Sequence, residues 1–191
     1  EREGVTVDAT SDPTADDVES FLRLYQETAE RDGFVIRDRN YYRDALARLC
    51  PAGLATLYLA RRGAEVVAAA VVLTFGVRAW YLWGATSAAG LDAHAMYRLQ
   101  WEAMRAARDA GCDHYDMWGA PEDLEDEADP LRGVAWFKAG FGAKHVRWTG
   151  AWDFAPWPIA YRAWLEILPR VVAMIRRLRG ETTGHAVVTP G

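Results

Sequence analysis

The sequence predicts a domain of the α/β (α+β) class, in which helices flank a mixed, mostly antiparallel sheet and a long helix ends the fold. Three observations lead to that prediction. Apolar residues make up 51% of the 191 residues, which is enough for a sizeable core. Strand-like runs follow one another over residues 55–83, and stretches with helical spacing of apolar residues stand on both sides of them. A last amphipathic stretch begins at Pro158.

The first predicted elements are a short strand and two helices. The strand covers Val5–Ala9. Asp12 is the expected N-cap of the first helix, and Gly33 ends it, because a carboxylate caps free N–H groups and glycine tolerates the left-handed C′ position. Asn40 is expected to cap the second helix, Tyr41–Leu49.

The centre of the chain predicts a meander of three antiparallel strands. Short connections that contain Gly63 and Gly76 separate the runs and favour hairpins. The three strands are predicted at Ala55–Ala60, Val66–Phe75 and Ala79–Trp83.

The rest of the chain alternates between helices and strands. Asp92 is the expected N-cap of a long helix, and residues 181–191 are expected to be a flexible tail after a single domain over 1–180. The predicted elements are a long helix at Ala93–Ala110, a short buried strand at His114–Trp118, a short helix at Gly133–Ala139, an aromatic strand at His145–Phe154 and a last helix from Pro158 to about Arg179. This order resembles that of the GNAT N-acyltransferase fold.

Composition excludes several classes of protein. Two cysteines, Cys50 and Cys112, are too few for a disulfide scaffold, and no His/Cys spacing indicates a metal site. The acidic loop Glu122–Asp129 lacks the spacing of a calcium loop and is expected to be exposed and mobile. The chain opens at Glu1 and its first methionine is Met96, so it is expected to be part of a longer protein.

The turn before the long helix bears on the acyl donor. Acetyltransferases of this fold that use CoA carry a glycine-rich turn there, whose backbone N–H groups hold the pyrophosphate. Residues 85–92 hold one glycine, Gly90, and no basic residue, and Asp92 places a carboxylate where the phosphate is expected. The acyl donor is therefore expected to be something other than CoA.

Two motifs are candidates for chemistry. Arg37 precedes a helix whose first turn carries Tyr41 and Tyr42, so a guanidinium could bind phosphate or carboxylate; the alternative is a solvated loop with half-buried tyrosines. Lys138 and Lys144 are the only lysines among 22 basic residues. A compact ammonium at 138 could sit beside an oxyanion or a phosphate; the alternative is an ordinary surface lysine.

These motifs resemble the second GNAT-like domain of the FemABX family, the aminoacyl-tRNA-dependent peptidyltransferases that build peptidoglycan interpeptide bridges. Arg37 with its two tyrosines, the strand Trp80–Gly84 and the run Phe137–Gly142 carry the resemblance. It implies that Lys138 acts in catalysis or in handling charged tRNA. It also implies a set of substrate-binding residues: Arg37, Tyr41, Tyr42, Tyr81, Trp83 (where the family often has tyrosine) and Phe137.

The resemblance implies a function as well. The chain is expected to be the C-terminal half of a two-domain enzyme that moves an amino acid from aminoacyl-tRNA to the stem-peptide amine of a cell-wall precursor, either lipid II or UDP-MurNAc-pentapeptide. No cofactor, no metal and no stable protein partner are expected. The implied location is the cytoplasm, with peripheral membrane contact through the precursor. The alternatives are a GNAT acetyltransferase that uses acetyl-CoA and a non-catalytic precursor-binding module.

The last helix leaves a choice of its own. Its far end carries four arginines, Arg170, Arg176, Arg177 and Arg179. They either compensate the helix dipole over a core-packed helix, or face a polyanion such as the tRNA backbone or anionic lipid headgroups.

Overall fold

The computed structural model describes residues 4–129, 131–150 and 152–178. They form two compact units. The first runs to Asp32 and continues over Ile36–Lys144; the second contains Gly33–Val35 and the described residues from His145 onward. The assignment of 1–180 to a single domain stays a prediction, and the expected tail over 181–191 lies outside the described residues.

The first unit is built on a five-stranded sheet whose strands lie in sequence order. Strands β1 to β4 are antiparallel to one another, and β5 runs parallel to β4. The mixed, mostly antiparallel sheet is confirmed. The strands are β1 Val5–Thr10, β2 Ala55–Arg62, β3 Glu65–Phe75, β4 Arg78–Thr86 and β5 His114–Asp116.

Helices cover both faces of this sheet. Helices α1 and α2 pack on one face around Phe21, Leu46 and Leu57, and α4 packs on the other around Val67 and Leu99. All five side chains are fully buried, and each contributes about 1.5–3 kcal/mol of transfer free energy. The helices of this unit are α1 Ala15–Asp32, α2 Arg39–Leu49, α3 Ala88–Asp92, α4 Ala95–Asp109 and α5 Arg132–Ala139.

The second unit contains helix α6, Pro158–Leu178, which is the expected long C-terminal helix. Among the described residues, no helix is long and apolar enough to cross a membrane.

The first two helices begin at other residues than predicted. Thr14 and Asp17 cap α1 reciprocally: the Thr14 hydroxyl accepts from the Asp17 N–H at 3.2 Å, and the Asp17 carboxylate accepts from the Thr14 N–H at 3.0 Å. These two bonds satisfy the backbone N–H groups of Thr14 and Asp17. Thr14 is therefore the N-cap of α1, and Asp12 is not. Asp38, not Asn40, caps α2, because its carboxylate accepts from the Asn40 N–H at 2.8 Å.

The predicted helix Ala93–Ala110 is interrupted at its start. The short helix α3 ends at Asp92, and His94 adopts a left-handed conformation with φ +47° before α4 begins. Asp92 therefore lies at the end of a helix and is not an N-cap. Ser87 caps α3, since its hydroxyl accepts from the Gly90 N–H at 3.2 Å.

Two strand predictions were wrong in part. Only His114–Asp116 of the run to Trp118 is a strand, and its side chains are exposed or half-exposed rather than buried. Trp118 ends it by adopting φ +65°. In the described part of His145–Phe154 there is no strand, because no backbone there pairs with another strand and the aromatic side chains are exposed.

The acidic loop is exposed from Glu122 to Ala128, as expected, and its mobility stays a prediction. Asp123, Asp126 and Asp129 each accept a hydrogen bond from the backbone N–H two residues later, at 2.7–2.9 Å. These Asx turns explain why aspartates recur at every third position. Within the described ranges, no group of His, Cys, Asp or Glu could hold a metal ion.

Candidate functional site

Arg37 lies in the loop before α2 and is held by both tyrosines of the motif. Its guanidinium carbon is 4.8 Å from the Tyr41 ring centroid, and its backbone N–H donates to the Tyr42 hydroxyl at 3.1 Å. No carboxylate of the described chain lies within 4 Å of this guanidinium. The side chain is therefore oriented by an aromatic face while its N–H donors remain available to an anion.

An aromatic cluster supports this arginine. The buried Tyr42 packs edge-on against Trp83 at 5.0 Å and against Tyr25 at 5.2 Å. Tyr41 is 46% exposed and lies 6.2 Å from Trp83. Edge-to-face pairs at these distances stabilise a fixed arrangement of rings. The structure thus brings together four predicted site residues, namely Arg37, Tyr41, Tyr42 and Trp83.

The neighbouring Arg39 is not available in the same way. Its guanidinium pairs with Glu19 at 2.6 Å, and Arg43 pairs with the same carboxylate at 2.5 Å. Hydrogen bonds from Arg43 and then Arg39 hold the pKa of Glu19 below its ordinary value. Arg37 is therefore the better anion ligand of the two.

A β-bulge separates two of the predicted site residues. Val71 pairs with Trp83 but Val72 pairs with Tyr81, so Leu82 is an extra residue in β4. Without it Tyr81 and Trp83 would share a face, as residues two apart do. With it, Trp83 packs with the α1 and α2 side of the sheet and Tyr81 with the α4 side.

Tyr81 packs against the apolar cluster under α4. Its hydroxyl donates to the Met96 sulfur at 3.7 Å and passes over Gly84, where an added Cβ would come within 1.6 Å of the oxygen. Burial raises the pKa of Tyr81 well above its ordinary value, against a smaller opposite effect of Gln100. The phenol therefore stays protonated and can act as a hydrogen-bond donor.

Lys138 is buried in α5 rather than lying on the surface. Its Nζ donates to the carbonyl of Gly119, in the loop after β5. Burial lowers the pKa of Lys138, while the negative charge of Asp116 acts in the opposite direction. An ammonium has three donors, so it can hold the loop and still donate to a ligand.

Phe137 belongs to a second aromatic cluster. Its ring lies 4.8 Å from Tyr97, and Phe141 stacks on Tyr97 at 5.6 Å. Phe137 contacts Tyr97, and Tyr81 contacts Met96, which is the preceding residue in the first turn of α4. The structure places Phe137 and Tyr81 on the α4 side, apart from the Arg37 cluster, whereas Lys138 adjoins the loop after β5.

Part of β4 forms an unpaired edge of the sheet, next to both Trp83 of the Arg37 group and Tyr81. In the described chain β5 pairs with β4 only at Arg78–Trp80, so β4 has no strand partner on that side from Tyr81 onward. Trp83 borders this edge on one face and Tyr81 on the other. Unpaired backbone groups of this kind can hydrogen-bond an extended peptide.

Three residues of the site were not predicted from the sequence. Gly84 clears the space for Tyr81, and Gly119 supplies the carbonyl for Lys138. Gln100 is fully buried; its Oε1 accepts from the Tyr115 hydroxyl at 2.8 Å, and its Nε2 has no hydrogen-bond partner within the described residues. A polar residue within the apolar stripe of α4 was the signal for Gln100.

Gly90 does not form a phosphate-binding turn. It is buried against β3, and an added Cβ would lie 2.2 Å from the Val67 carbonyl oxygen. The glycine is therefore required for packing, and the Ser87 side chain already occupies its N–H. This agrees with the expectation that CoA is not the acyl donor, which stays a prediction.

Comparisons with known proteins bear on the family. A family model described as "Acetyltransferase (GNAT) domain" matches residues 1–126. The UDP-N-acetylmuramoylpentapeptide-lysine N(6)-alanyltransferase of Weissella viridescens is 28% identical over 127 residues, which are 66% of this chain and 37% of that protein. Thus the chain spans little more than a third of this curated relative.

Solved structures agree on the fold. The crystal structure of FemX has a TM-score of 0.62 at 20% identity, over 72% of this chain and 50% of FemX. An aminoglycoside acetyltransferase from an uncultured soil metagenomic sample, in complex with sisomicin, has a TM-score of 0.55 at 10% identity, over 81% of this chain and 99% of its own. The predicted GNAT-like fold and the resemblance to the FemABX family are confirmed.

Proposed function

Because the chain belongs to the acetyltransferase (GNAT) domain family, we propose that it serves a Fem-type aminoacyl transfer in peptidoglycan synthesis. In this proposal an amino acid moves from aminoacyl-tRNA to the side-chain amine of the stem peptide of a cell-wall precursor. The similarity to the Weissella viridescens alanyltransferase is the observation that carries it. The geometry of the two residue groups adds support from a separate direction.

The Arg37 group suits the phosphorylated, sugar-bearing end of such a precursor. Its guanidinium has N–H donors for a phosphate, and the exposed Tyr41 ring offers a flat face to a sugar or base. The buried Tyr42 fixes the loop, since its hydroxyl accepts from the Arg37 N–H.

The unpaired edge of β4 suits the peptide part of the precursor. Backbone N–H and C=O groups from Tyr81 onward can hydrogen-bond an extended stem peptide, much as an added strand would. Such a peptide would lie in the plane of the sheet, with Trp83 on one face and Tyr81 on the other. Side chains of the peptide would alternate between the face that carries Trp83 and the Arg37 group and the face that carries Tyr81.

Lys138 is the residue proposed for the chemical step. An aminoacyl-tRNA is an activated ester, so attack by a neutral amine needs no protein nucleophile. The amine nitrogen bonds to the ester carbonyl carbon, and the carbonyl oxygen gains negative charge. The carbonyl then re-forms as the C–O bond to the tRNA breaks, and the proton lost by the amine nitrogen passes to the departing tRNA oxygen, directly or through solvent. The Lys138 ammonium would stabilise that oxyanion more than the ground state, in a site where burial strengthens the interaction.

Aminoacyl-tRNA as the donor, the absence of a cofactor and a cytoplasmic location with peripheral membrane contact through the precursor are parts of the same proposal. The proposal leaves two acceptors open, a lipid-linked precursor and a soluble nucleotide-linked one. A non-catalytic precursor-binding module would retain the Arg37 group but would not need a buried lysine at 138.

A transfer assay tests the proposal directly. The full-length protein is incubated with bulk tRNA charged with labelled amino acids and, in parallel, with labelled acetyl-CoA, each with a UDP-linked muropeptide. Label should move to the muropeptide from tRNA only. Transfer from acetyl-CoA alone would instead favour an acetyltransferase, which the family description and the aminoglycoside acetyltransferase neighbour suggest as the second candidate.

Two variants separate a catalytic role of Lys138 from a general effect. Lys138→Ala should lower kcat by about 10²–10³-fold, the usual cost of one oxyanion donor, with the fold retained. Lys144→Ala, which removes the other lysine, should be nearly silent. Equal activity of Lys138→Ala and the unmodified protein would contradict the assignment.

A further inference from the structure

Helix α6 exposes a continuous apolar surface to solvent. Trp164 is 60% exposed, Ile167 56% and Met174 62%, and Val171 and Ile175 are exposed as well. At about 100° per residue these five positions fall within roughly 100° of the helix circumference. We call this set the apolar arc. Exposed apolar surfaces of this extent mark interaction sites.

Three charged residues of α6 lie on the other side of the helix. Arg162, Glu166 and Arg170 fall within roughly 80° of the circumference. In all, the helix sequence has four arginines and one glutamate, a net charge of +3. Among the large apolar residues only Ile159, in the first turn, shares that side. The charged positions are Arg162, Glu166, Arg170, Arg176 and Arg177.

Indole rings are concentrated in the segment before the helix. Trp148 is 78% exposed, Trp152 85% and Trp157 77%. The Tyr161 hydroxyl donates to the Asp153 carboxylate, which ties this segment to the first turn of α6 within the same unit. Tryptophan is enriched at the boundary between lipid headgroups and acyl chains, because its ring is apolar and its N–H is polar.

We propose that α6 binds in the plane of an anionic lipid bilayer, with the apolar arc among the acyl chains and the arginines among the headgroups. An apolar face, a basic opposite face and flanking tryptophans are the combination that favours this orientation. The helix has 21 residues and is not apolar enough to span the membrane. An RNA backbone would use the arginines alone and would leave the apolar arc in water, so lipid is the better fit. The inference does not depend on the proposed function.

Co-sedimentation with vesicles tests the charge and the apolar arc separately. The chain should bind vesicles of phosphatidylcholine with about 30% phosphatidylglycerol more tightly than pure phosphatidylcholine, by about fivefold for each arginine that reaches the surface. Arg162→Gln with Arg170→Gln should reduce that preference by about 25-fold if both arginines reach the surface. Arg98→Gln with Arg105→Gln, the same charge change on α4, should retain it.

The apolar arc has its own variant and control. Trp164→Gln with Ile167→Gln should weaken binding to both kinds of vesicle by more than tenfold, because glutamine keeps the helix but removes buried area. Trp101→Gln, at a similarly exposed tryptophan of α4, should leave binding unchanged.

A labelled cysteine reports the orientation of the helix. Cys50 and Cys112 are buried, so a cysteine introduced on α6 can be labelled selectively with an environment-sensitive dye. With anionic vesicles, the dye at Met174→Cys should brighten and shift to the blue. The dye at Glu166→Cys, on the charged side, should change little.

Four results would overturn the proposal. The first is failure to bind anionic vesicles at low salt. The second is an equal dye response at both labelled positions. The third is a dimer in light scattering that Trp164→Gln with Ile167→Gln dissociates, since a second copy would then cover the apolar arc. Binding of uncharged bulk tRNA that needs only the arginines, without vesicle binding, would likewise refute it.

Discussion

Gly90 provides a test of how the turn after β4 is used. The change is Gly90→Ala, which adds one methyl group where α3 meets β3. That Cβ would stand 2.2 Å from the Val67 carbonyl oxygen and 2.5 Å from the Thr86 hydroxyl, whereas ordinary contact begins at 3.4 Å. Helix α3 must therefore move away from β3 by about 1.2 Å. The hydrogen bond from the Ser87 hydroxyl to the Val67 carbonyl prevents this movement as long as it remains intact.

The expected loss follows from what that movement breaks. The Val67 carbonyl accepts from the Ser87 N–H at 2.9 Å and from the Ser87 hydroxyl at 3.2 Å. Each bond is worth about 1 kcal/mol, and overpacking costs about 2 kcal/mol more. Alanine returns about 1 kcal/mol through its helix propensity. The net loss is about 3 kcal/mol, which for a chain of this size lowers the Tm by about 6–12 °C.

Thermal unfolding followed by circular dichroism measures this directly. Gly133→Ala is the matched control: it lies in α5, no atom is within 4 Å of the added Cβ, and it should be neutral or raise the Tm slightly. If Gly90→Ala is as stable as the unmodified chain, the packing argument is wrong, and the turn would be free for a ligand such as CoA pyrophosphate.

Three further predictions address the site. In a pH titration of labelled lysine side chains, which gives two signals assigned with Lys144→Arg, the Lys138 signal should titrate below the ordinary lysine pKa of 10.5. The pKa of Lys138 is lower in the folded than in the unfolded protein, so its buried charge destabilises the fold at low pH. The free energy of unfolding should therefore rise as the pH increases from the folded pKa to 10.5. If the unmodified chain shows no such rise relative to Lys138→Met, the prediction is wrong. Gly84→Ala should displace the Tyr81 side chain with little change in Tm. It should weaken precursor binding as much as Tyr81→Phe does. If the precursor binds as tightly as to the unmodified protein, Tyr81 has no role in binding. Arg37→Ala should weaken binding of a UDP-linked muropeptide by about tenfold or more, the worth of one charge-assisted hydrogen bond, in calorimetry; an unchanged Kd would remove this residue from the site.

Most of the fold could be predicted because local signals and the global arrangement agree. Gly33 has φ +71° at the end of α1, and Gly63 and Gly76 have φ +62° and +58° in the two hairpins, as their places in the sequence require. The errors arose where two residues compete for one role. Asp12 and Thr14 are both good caps, and only the reciprocal bonds of Thr14 with Asp17 decide between them.

The site could be predicted only by residue type and not by arrangement. Aromatics at Trp80, Tyr81 and Trp83 fit a strand, but nothing in their order reveals that Leu82 is an extra residue. A bulge depends on the pairing partner, β3, and so on contacts remote in sequence. For the same reason the burial of Lys138 was not visible: its short helix looks amphipathic, and the carbonyl that binds its Nζ lies 19 residues earlier.

The bulge also bears on how the proposed aminoacyl transfer could proceed without a protein nucleophile. Aminoacyl transfer between an activated ester and an amine needs two substrates held in register, more than it needs a reactive side chain. By turning Tyr81 and Trp83 to opposite faces, the extra residue Leu82 gives a single strand a side chain in each group. The edge of that strand from Tyr81 onward is left unpaired because β5 stops at Asp116. In the proposed function, a substrate along this edge would be contacted from both faces of the sheet, and one strand rather than loops would set its position.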